Sequence, residues 1–116
     1  MSRDRERLLH IQEAIDRVQR YASRGRDAFD RDELIQNWIV RHLQVIGEAC
    51  RALSGDLQGR YPEVPWSKIV AMRNIIMHDY FEVDQDLVWS TVERDLPALS
   101  RNIQDILEDL TSGKER

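Results

Sequence analysis

The sequence predicts an all-α chain of four to five helices. Apolar residues recur at steps of three and four over long stretches, which marks one face of a helix with 3.6 residues per turn. Only five Gly and three Pro interrupt 116 residues, too few for a fold with many tight turns. Hydrophobic residues make up 41% of the chain and charged residues 33%, the balance of a globular chain with solvated outer faces. Residues 1–116 read as a single domain long enough to bury a core without staples.

The first helix is expected over residues 3–23, where Leu8, Ile11, Ile15, Val18 and Ala22 step by 3, 4, 3 and 4. Gly25 is its breaker, and His10 falls at the boundary of the stripe. The second helix is expected to start near Asp30, with Asp30 and Glu33 as an acidic variant of the capping box. Its stripe of Leu34, Ile35, Trp38, Ile39, Val45, Ile46, Ala49 and Leu53 makes it the central packing element, closed by Ser54-Gly55. Gly47 inside it costs about 1 kcal/mol against Ala, which a close helix approach or a dimer contact would offset. Glu48 beside it reads as exposed, with a base such as Arg73 as the alternative partner. Residues 55–65 are expected to form an internal loop punctuated by Gly59, Pro62 and Pro65, with Leu57, Tyr61 and Val64 turned inward.

The third helix is expected to begin at Pro65 or Trp66, proline being tolerated in a first turn. Trp66, Ile69, Val70, Ile76, Met77 and part of Met72 form its apolar side. Asp84 caps the fourth helix, with Asp86 in its first turn. Leu87, Val88, Val92, Leu96, Leu99, Ile103, Ile106 and Leu110 carry its stripe. Pro97 interrupts that stripe, so either the helix kinks or two helices abut. Residues 111–116 are expected to fray.

Several function classes fall away. Cys50 has no internal disulfide partner and lies in a helical pattern, as an inert buried thiol would, which suits a reducing, cytoplasmic setting. The first residues are charged and lack the apolar core of a targeting segment, and no run of about 18 apolar residues exists to span a membrane. The three His stand at 10, 42 and 78, and His78-Asp79 with Glu82 and Asp84 is not a zinc spacing, so no metal site and no cofactor are expected. No phosphate-binding Gly-rich loop and no nucleophile elbow occur. The net charge of −4 is not that of a general nucleic-acid binder. The charge is nonetheless uneven: residues 1–26 hold seven Arg against four acids, and residues 79–116 hold ten acids against four bases. A basic end meets phosphate, an acidic partner or only solvent.

The chemistry concentrates in Arg73-Asn74-Ile75-Ile76-Met77-His78-Asp79-Tyr80, where a cation, an amide, an imidazole and a phenol fall within eight residues. Asn74 and His78 are four apart and share a helix face. Arg73 is turned about 100° from Asn74 with a side chain long enough to reach round. If the helix ends at His78 or Asp79, an extended His-x-Tyr puts Tyr80 on the side of His78. This set suits metal-independent cleavage of RNA, in which the ribose 2′-OH attacks the neighbouring phosphorus. His78 would move the proton, Arg73 would hold the non-bridging oxygens, and Asn74 would orient His78 or bind an oxygen. A two-histidine acid–base pair would need a symmetric dimer. Taken alone, an Arg-x4-His pair on a helix is usually a solvated face with a satisfied histidine.

Arg73-x4-His78-x-Tyr80, with Asn74 after the arginine, resembles the RxxxxHxY signature of HEPN domains, an all-α ribonuclease superfamily. Pro65-Trp66, Met72-Arg73-Asn74, His78-Asp79-Tyr80-Phe81, Val83-Asp84, Val88-Trp89, Asp95-Leu96-Pro97 and the earlier Ile46-Gly47-Glu48-Ala49 resemble the HepT-like branch over nearly the whole chain. The resemblance implies an up-and-down helical bundle that forms a homodimer, with two motifs lining one cleft. It implies the toxin half of a HepT/MntA toxin–antitoxin pair that cuts RNA, transfer RNA among the candidate targets. Arg73 and His78 would be catalytic, with Asn74 and Tyr80 supporting. The partner would be an MntA-like nucleotidyltransferase that moves AMP from ATP onto Tyr80. Nucleotidyl phosphate beside Arg73 and His78 would fill an anion site and bar RNA. The competing class is a non-catalytic helical module that binds a nucleotidyltransferase or a nucleotide. The acidic C-terminal third favours that class, and the intact Arg/His/Tyr set favours the enzyme.

Overall fold

A computed structural model of the chain describes residues 3–78 and 84–113, without the side chains of residues 73–78. The described residues are helical with no strand, as the apolar periodicity predicts, and they form a helical bundle. The helices are α1 (Asp4–Ala22), α2 (Arg26–Arg31), α3 (Glu33–Ala52), α4 (Gly55–Arg60), α5 (Trp66–His78), α6 (Gln85–Ser90) and α7 (Leu96–Ser112), with a π-helical turn at Thr91–Asp95 between the last two.

α1 follows its sequence stripe: Leu8, Ile11, Ile15 and Val18 are all buried. It packs against α3 and α7. Two contacts show that α1 and α3 run antiparallel. Near the start of α1, the Asp4 carboxylate accepts from the backbone N–H of Ser54 at 2.9 Å and from its hydroxyl, just past the end of α3. Near the far end, the Trp38 indole N–H donates to the Arg17 carbonyl at 3.0 Å. Asp4 is buried, so its carboxylate is a paired charge that closes one end of the bundle. Gly25 ends α1 as expected, with φ at +94°, a conformation that strains any L side chain.

Four expectations need correction. The second long helix does not begin at Asp30. A short helix, α2, occupies that stretch, Asp30 pairs with Arg26 at 2.9 Å, and Asp32 is the cap that accepts from the N–H groups of Leu34 and Ile35. The α3 stripe is narrower than read. Ile35, Ile39, Leu43, Ile46 and Cys50 are buried, whereas Leu34 is 79% exposed and Val45 41%. The broad list mixed two faces that a strict four-and-three step separates. Residues 55–65 are not all loop, because Ser54 caps the six-residue α4 by accepting from the Leu57 N–H at 3.1 Å. Leu57, Tyr61 and Val64 are buried, as predicted. Residues 111–116 do not fray from 111: α7 continues to Ser112 and is capped by Gly113 in the left-handed region, while residues 114–116 lie outside the described residues.

At Pro97 the chain stays helical. The Leu96 N–H reaches back five residues to the Thr91 carbonyl, a π turn immediately before the proline. Proline lacks an N–H, and its ring crowds the carbonyl four residues back in a regular helix. A wider turn at that point relieves the crowding. The stripe then continues through Leu96, Leu99, Ile103 and Ile106, all buried.

Candidate functional site

α5 carries positions 73, 74 and 78 of the motif, and its first half anchors the helix. Trp66, Ile69 and Met72 are buried on one side of the helix, which packs on α3. The start is pinned twice: the Trp66 indole N–H donates to the Tyr61 carbonyl at 3.0 Å, and the Ile69 N–H donates to the Pro65 carbonyl at 3.1 Å. The Tyr61 hydroxyl in turn donates to Asp109 at 3.1 Å, tying the entry to α5 onto α7.

The helix continues to His78, so Arg73, Asn74 and His78 occupy its last turns. Positions 74 and 78 stand one turn apart, about 6 Å along the axis, as an Asn–His pair on one face requires. The side chains of these residues, and Tyr80 with the whole stretch 79–83, lie outside the described residues. The expected extended His-x-Tyr therefore lies there as well. Glu48 is exposed on α3, in line with the reading of its sequence context.

The chain resumes at a firmly held point. Asp84 caps α6 by accepting from the Leu87 N–H at 3.1 Å. Arg26 bridges Asp86 of α6 and Asp30 of α2, and its hydrogen bonds to these two carboxylates, Asp86 first, raise its guanidinium pKa above the ordinary value. Phe29 packs against Trp89 with ring centroids 5.3 Å apart. Gln85 donates to Gln36 at 3.4 Å. The short helix α2, invisible to the sequence pattern, thus anchors the element that follows the motif.

Beside the first half of α5 lies an apolar hollow of about 250 Å³, walled by Ile46, Ile69, Met72, Leu87, Leu96 and Leu99. Lys68 and Asp95 stand 3.6 Å apart at its edge. Cys50 is buried, and burial pushes its thiol pKa up to about 12, so it stays protonated and unreactive near neutral pH. Among the described residues no cluster of three His, Cys, Asp or Glu is placed to hold a metal ion. No described helix is long and apolar enough to cross a membrane.

One functional candidate escaped the sequence reading. His42 is buried, donates from Nδ1 to the Trp38 carbonyl at 2.7 Å, and packs on the Trp38 ring with centroids 4.3 Å apart. The signal was present as Trp38 and His42 four apart on one helix, but periodicity does not say what a polar residue faces.

The comparisons with known proteins point to one family. The family model described as Ribonuclease HepT-like matches residues 11–106. A Methanocaldococcus jannaschii protein named as a gamma-glutamylcyclotransferase and, provisionally, an RNase is 33% identical over 108 residues, covering 92% of this chain and 49% of its own length. The chain thus spans about half the length of that relative. A protein of Caldanaerobacter subterraneus subsp. tengcongensis, provisionally named an RNase, is 31% identical over 109 residues, covering 93% of this chain and 97% of its own. A Thermococcus cleftensis protein named "Probable ribonuclease HepT" is 38% identical over 68 residues, covering 59% of this chain and 62% of its own. No solved structure matches the chain. With a family model spanning the core of every long helix, and with Arg73 and His78 inside the matched range, the chain belongs to the HepT-like ribonuclease family.

Proposed function

We propose that the chain is a metal-independent endoribonuclease whose reaction is carried by Arg73 and His78. What supports this reading is the Arg-x4-His-x-Tyr string in the sequence within the family match, with Arg73 and His78 falling in the last turns of α5. His78 accepts the proton of the ribose 2′-OH, the 2′-oxygen bonds to the adjacent phosphorus, and the bond from phosphorus to the 5′-oxygen breaks. The leaving oxygen takes a proton from a second acid, which in a symmetric dimer is the His78 of the other motif. The products are a 2′,3′-cyclic phosphate and a free 5′-hydroxyl. Arg73 steadies the non-bridging oxygens as charge builds on them, and Asn74 holds His78 or a substrate oxygen.

The same reading makes the protein the toxin of a HepT/MntA pair, acting on RNA such as transfer RNA in the cytoplasm. Its control is transfer of AMP from ATP to the Tyr80 oxygen by an MntA-like nucleotidyltransferase, with pyrophosphate as the leaving group. The phosphodiester so formed brings a negative charge and a nucleoside next to the motif, which excludes RNA by repulsion and bulk.

The test is cleavage of total and transfer RNA in EDTA by the unmodified protein, beside Arg73→Ala and His78→Ala. Discrete fragments ending in 2′,3′-cyclic phosphate are expected, slowed by about 10²- to 10⁴-fold in His78→Ala. An unmodified Tyr80, verified by intact mass, with cleavage equal in wild type and folded variants would overturn the enzyme. A non-catalytic nucleotidyltransferase-binding module would then stand in its place, the reading that the acidic stretch 79–116 favours.

A further inference from the structure

α1 carries a second periodicity besides its core stripe. Arg3, Arg7, His10, Ala14, Arg17, Tyr21 and Arg24 step by 4, 3, 4, 3, 4 and 3; those from Arg7 to Tyr21 line one row of α1, with Arg3 at its N-cap and Arg24 just past its C-cap. Five of the seven positions are Arg or Lys-like cations or are filled by His10, counting Arg3, Arg7, His10, Arg17 and Arg24. None is acidic. The row follows the helix for roughly 30 Å. Of the acids of α1, Asp4 is buried on Ser54, Glu13 is paired with Arg17, and Glu6 and Asp16 are exposed. Arg24 is seated 4.9 Å over the Tyr21 ring, which keeps a cation on the line where the helix ends.

Where this row meets α3 there is a groove of about 230 Å³, lined by His10, Glu13 and Arg17 from one side and Arg41, His42 and Val45 from the other. Ala14 lies between them and is small enough to leave the space open. Glu13 is engaged by Arg17 at 2.6 Å, which leaves Arg41 as the groove's unneutralised cation: it is exposed and has no ion-pair partner among the described residues. His42 has its Nδ1 proton committed to the Trp38 carbonyl. A carbonyl only accepts, so the tautomer is fixed and Nε2 is the ring atom left for a ligand. Nε2 has no partner among the described residues, although His42 is only 7% exposed. The Trp38 indole N–H donates to the Arg17 carbonyl and so ties α3 to α1 beside the groove.

We infer that this groove and the row that runs through it form a second RNA contact, a subsite for the phosphates of single-stranded RNA separate from the cleavage motif. Arg41 and the arginines of the row, spaced along α1, complement an anion repeated along a strand. Val45, 41% exposed in the wall, offers an apolar surface for a ribose or a base. The identity of the polyanion rests on the ribonuclease reading; the cationic groove itself does not.

The test uses the whole chain and a short oligouridine with every ribose 2′-O-methylated, which binds but is not cut. The imidazole NMR signals of His10 and His42 are expected to shift as it is added. Arg41→Gln, an exposed substitution that leaves the core untouched, is expected to weaken binding about fivefold and to lower the salt slope by about one phosphate contact. Silent imidazoles together with unchanged affinity and slope in Arg41→Gln would overturn the subsite, even if the protein cuts RNA. Shifts with polyglutamate but not with the oligouridine would also overturn it, making the groove a docking site for an acidic protein. Shifts with the oligouridine in a protein that cuts no RNA would uphold the subsite and remove the ribonuclease reading alone.

Discussion

α3 separates two hollows of opposite chemistry. Ile46 walls the one toward α5 and α7, whose lining is almost wholly aliphatic. His42, one turn earlier on the same helix, walls the one toward α1, where two arginines, two histidines and a glutamate meet. The difference comes from the neighbours rather than from α3 itself. On the apolar side, exposed Ala71 and Ala98 line the hollow and are too short to close it. On the polar side, charged groups that water solvates keep the walls apart at little cost. The first hollow therefore belongs to the energetics of packing, and the second to electrostatics.

That contrast can be broken in order of expected effect. Ile46 is fully buried and faces the apolar hollow, so Ile46→Ala enlarges an existing void with little chance of collapse. It should cost about 2–5 kcal/mol in urea unfolding. A loss below about 1 kcal/mol would show that the neighbouring helices close in, and that the apolar side is softer than its lining suggests.

Cys50, one turn beyond Ile46, reports whether this side is dry. Its thiol is pushed up from 9.0 to about 12 by burial. The unfolded thiol loses its proton first, so the stability is intact below about pH 9 and falls as pH rises toward 12, by up to about 1.4 kcal/mol per unit. The pH dependence of unfolding in wild type minus that in Cys50→Ala isolates the effect. Identical slopes would mean that water reaches the sulfur.

On the polar side the cross-helix bond from Trp38 to the Arg17 carbonyl can be removed by Trp38→Phe. The loss should be about 1 kcal/mol, and the His42 imidazole signal should move because its ring packs on Trp38. The smallest effect is expected from Arg26→Gln, which cuts exposed ion pairs to Asp30 and Asp86. A slight fall in thermal midpoint at low salt should vanish at high salt. A fall that persists would mean that α2 anchors α6 by more than charge.

The long elements were legible because their apolar residues are spaced for one face, as Leu8 to Val18 and Leu96 to Ile106 are. The cap at Asp84 and the buried Leu57, Tyr61 and Val64 followed from turn chemistry and apolar content. The short helices did not: α2 and α4 have six residues each, less than two turns, and bury one large side chain apiece, Phe29 and Leu57. Such pieces have no period to detect and are stabilised by tertiary contacts. The cap was read at Asp30 because Glu33 stands three residues on, whereas the true cap, Asp32, has Ile35 in that place and so lacks the capping-box signal. The candidate motif was readable as a local string, since Arg73, Asn74, His78 and Tyr80 lie within eight residues. The α1–α3 groove was not, because His10 and His42 stand far apart in sequence and meet only through antiparallel packing.

The packing of α1 on α7 has a consequence in time. Gln12 reaches Ser100 across 88 residues at 3.4 Å, and the covering side chains of α7 are synthesised after every other described helix. On the ribosome the α1 stripe stays half-covered until α7 emerges, since α3 alone shields only one flank. The helix that bears the motif can lie against α3 before then, but the bundle that holds it is not finished. A chain whose proposed activity is directed at RNA thus completes this bundle only after the last of its described helices has emerged.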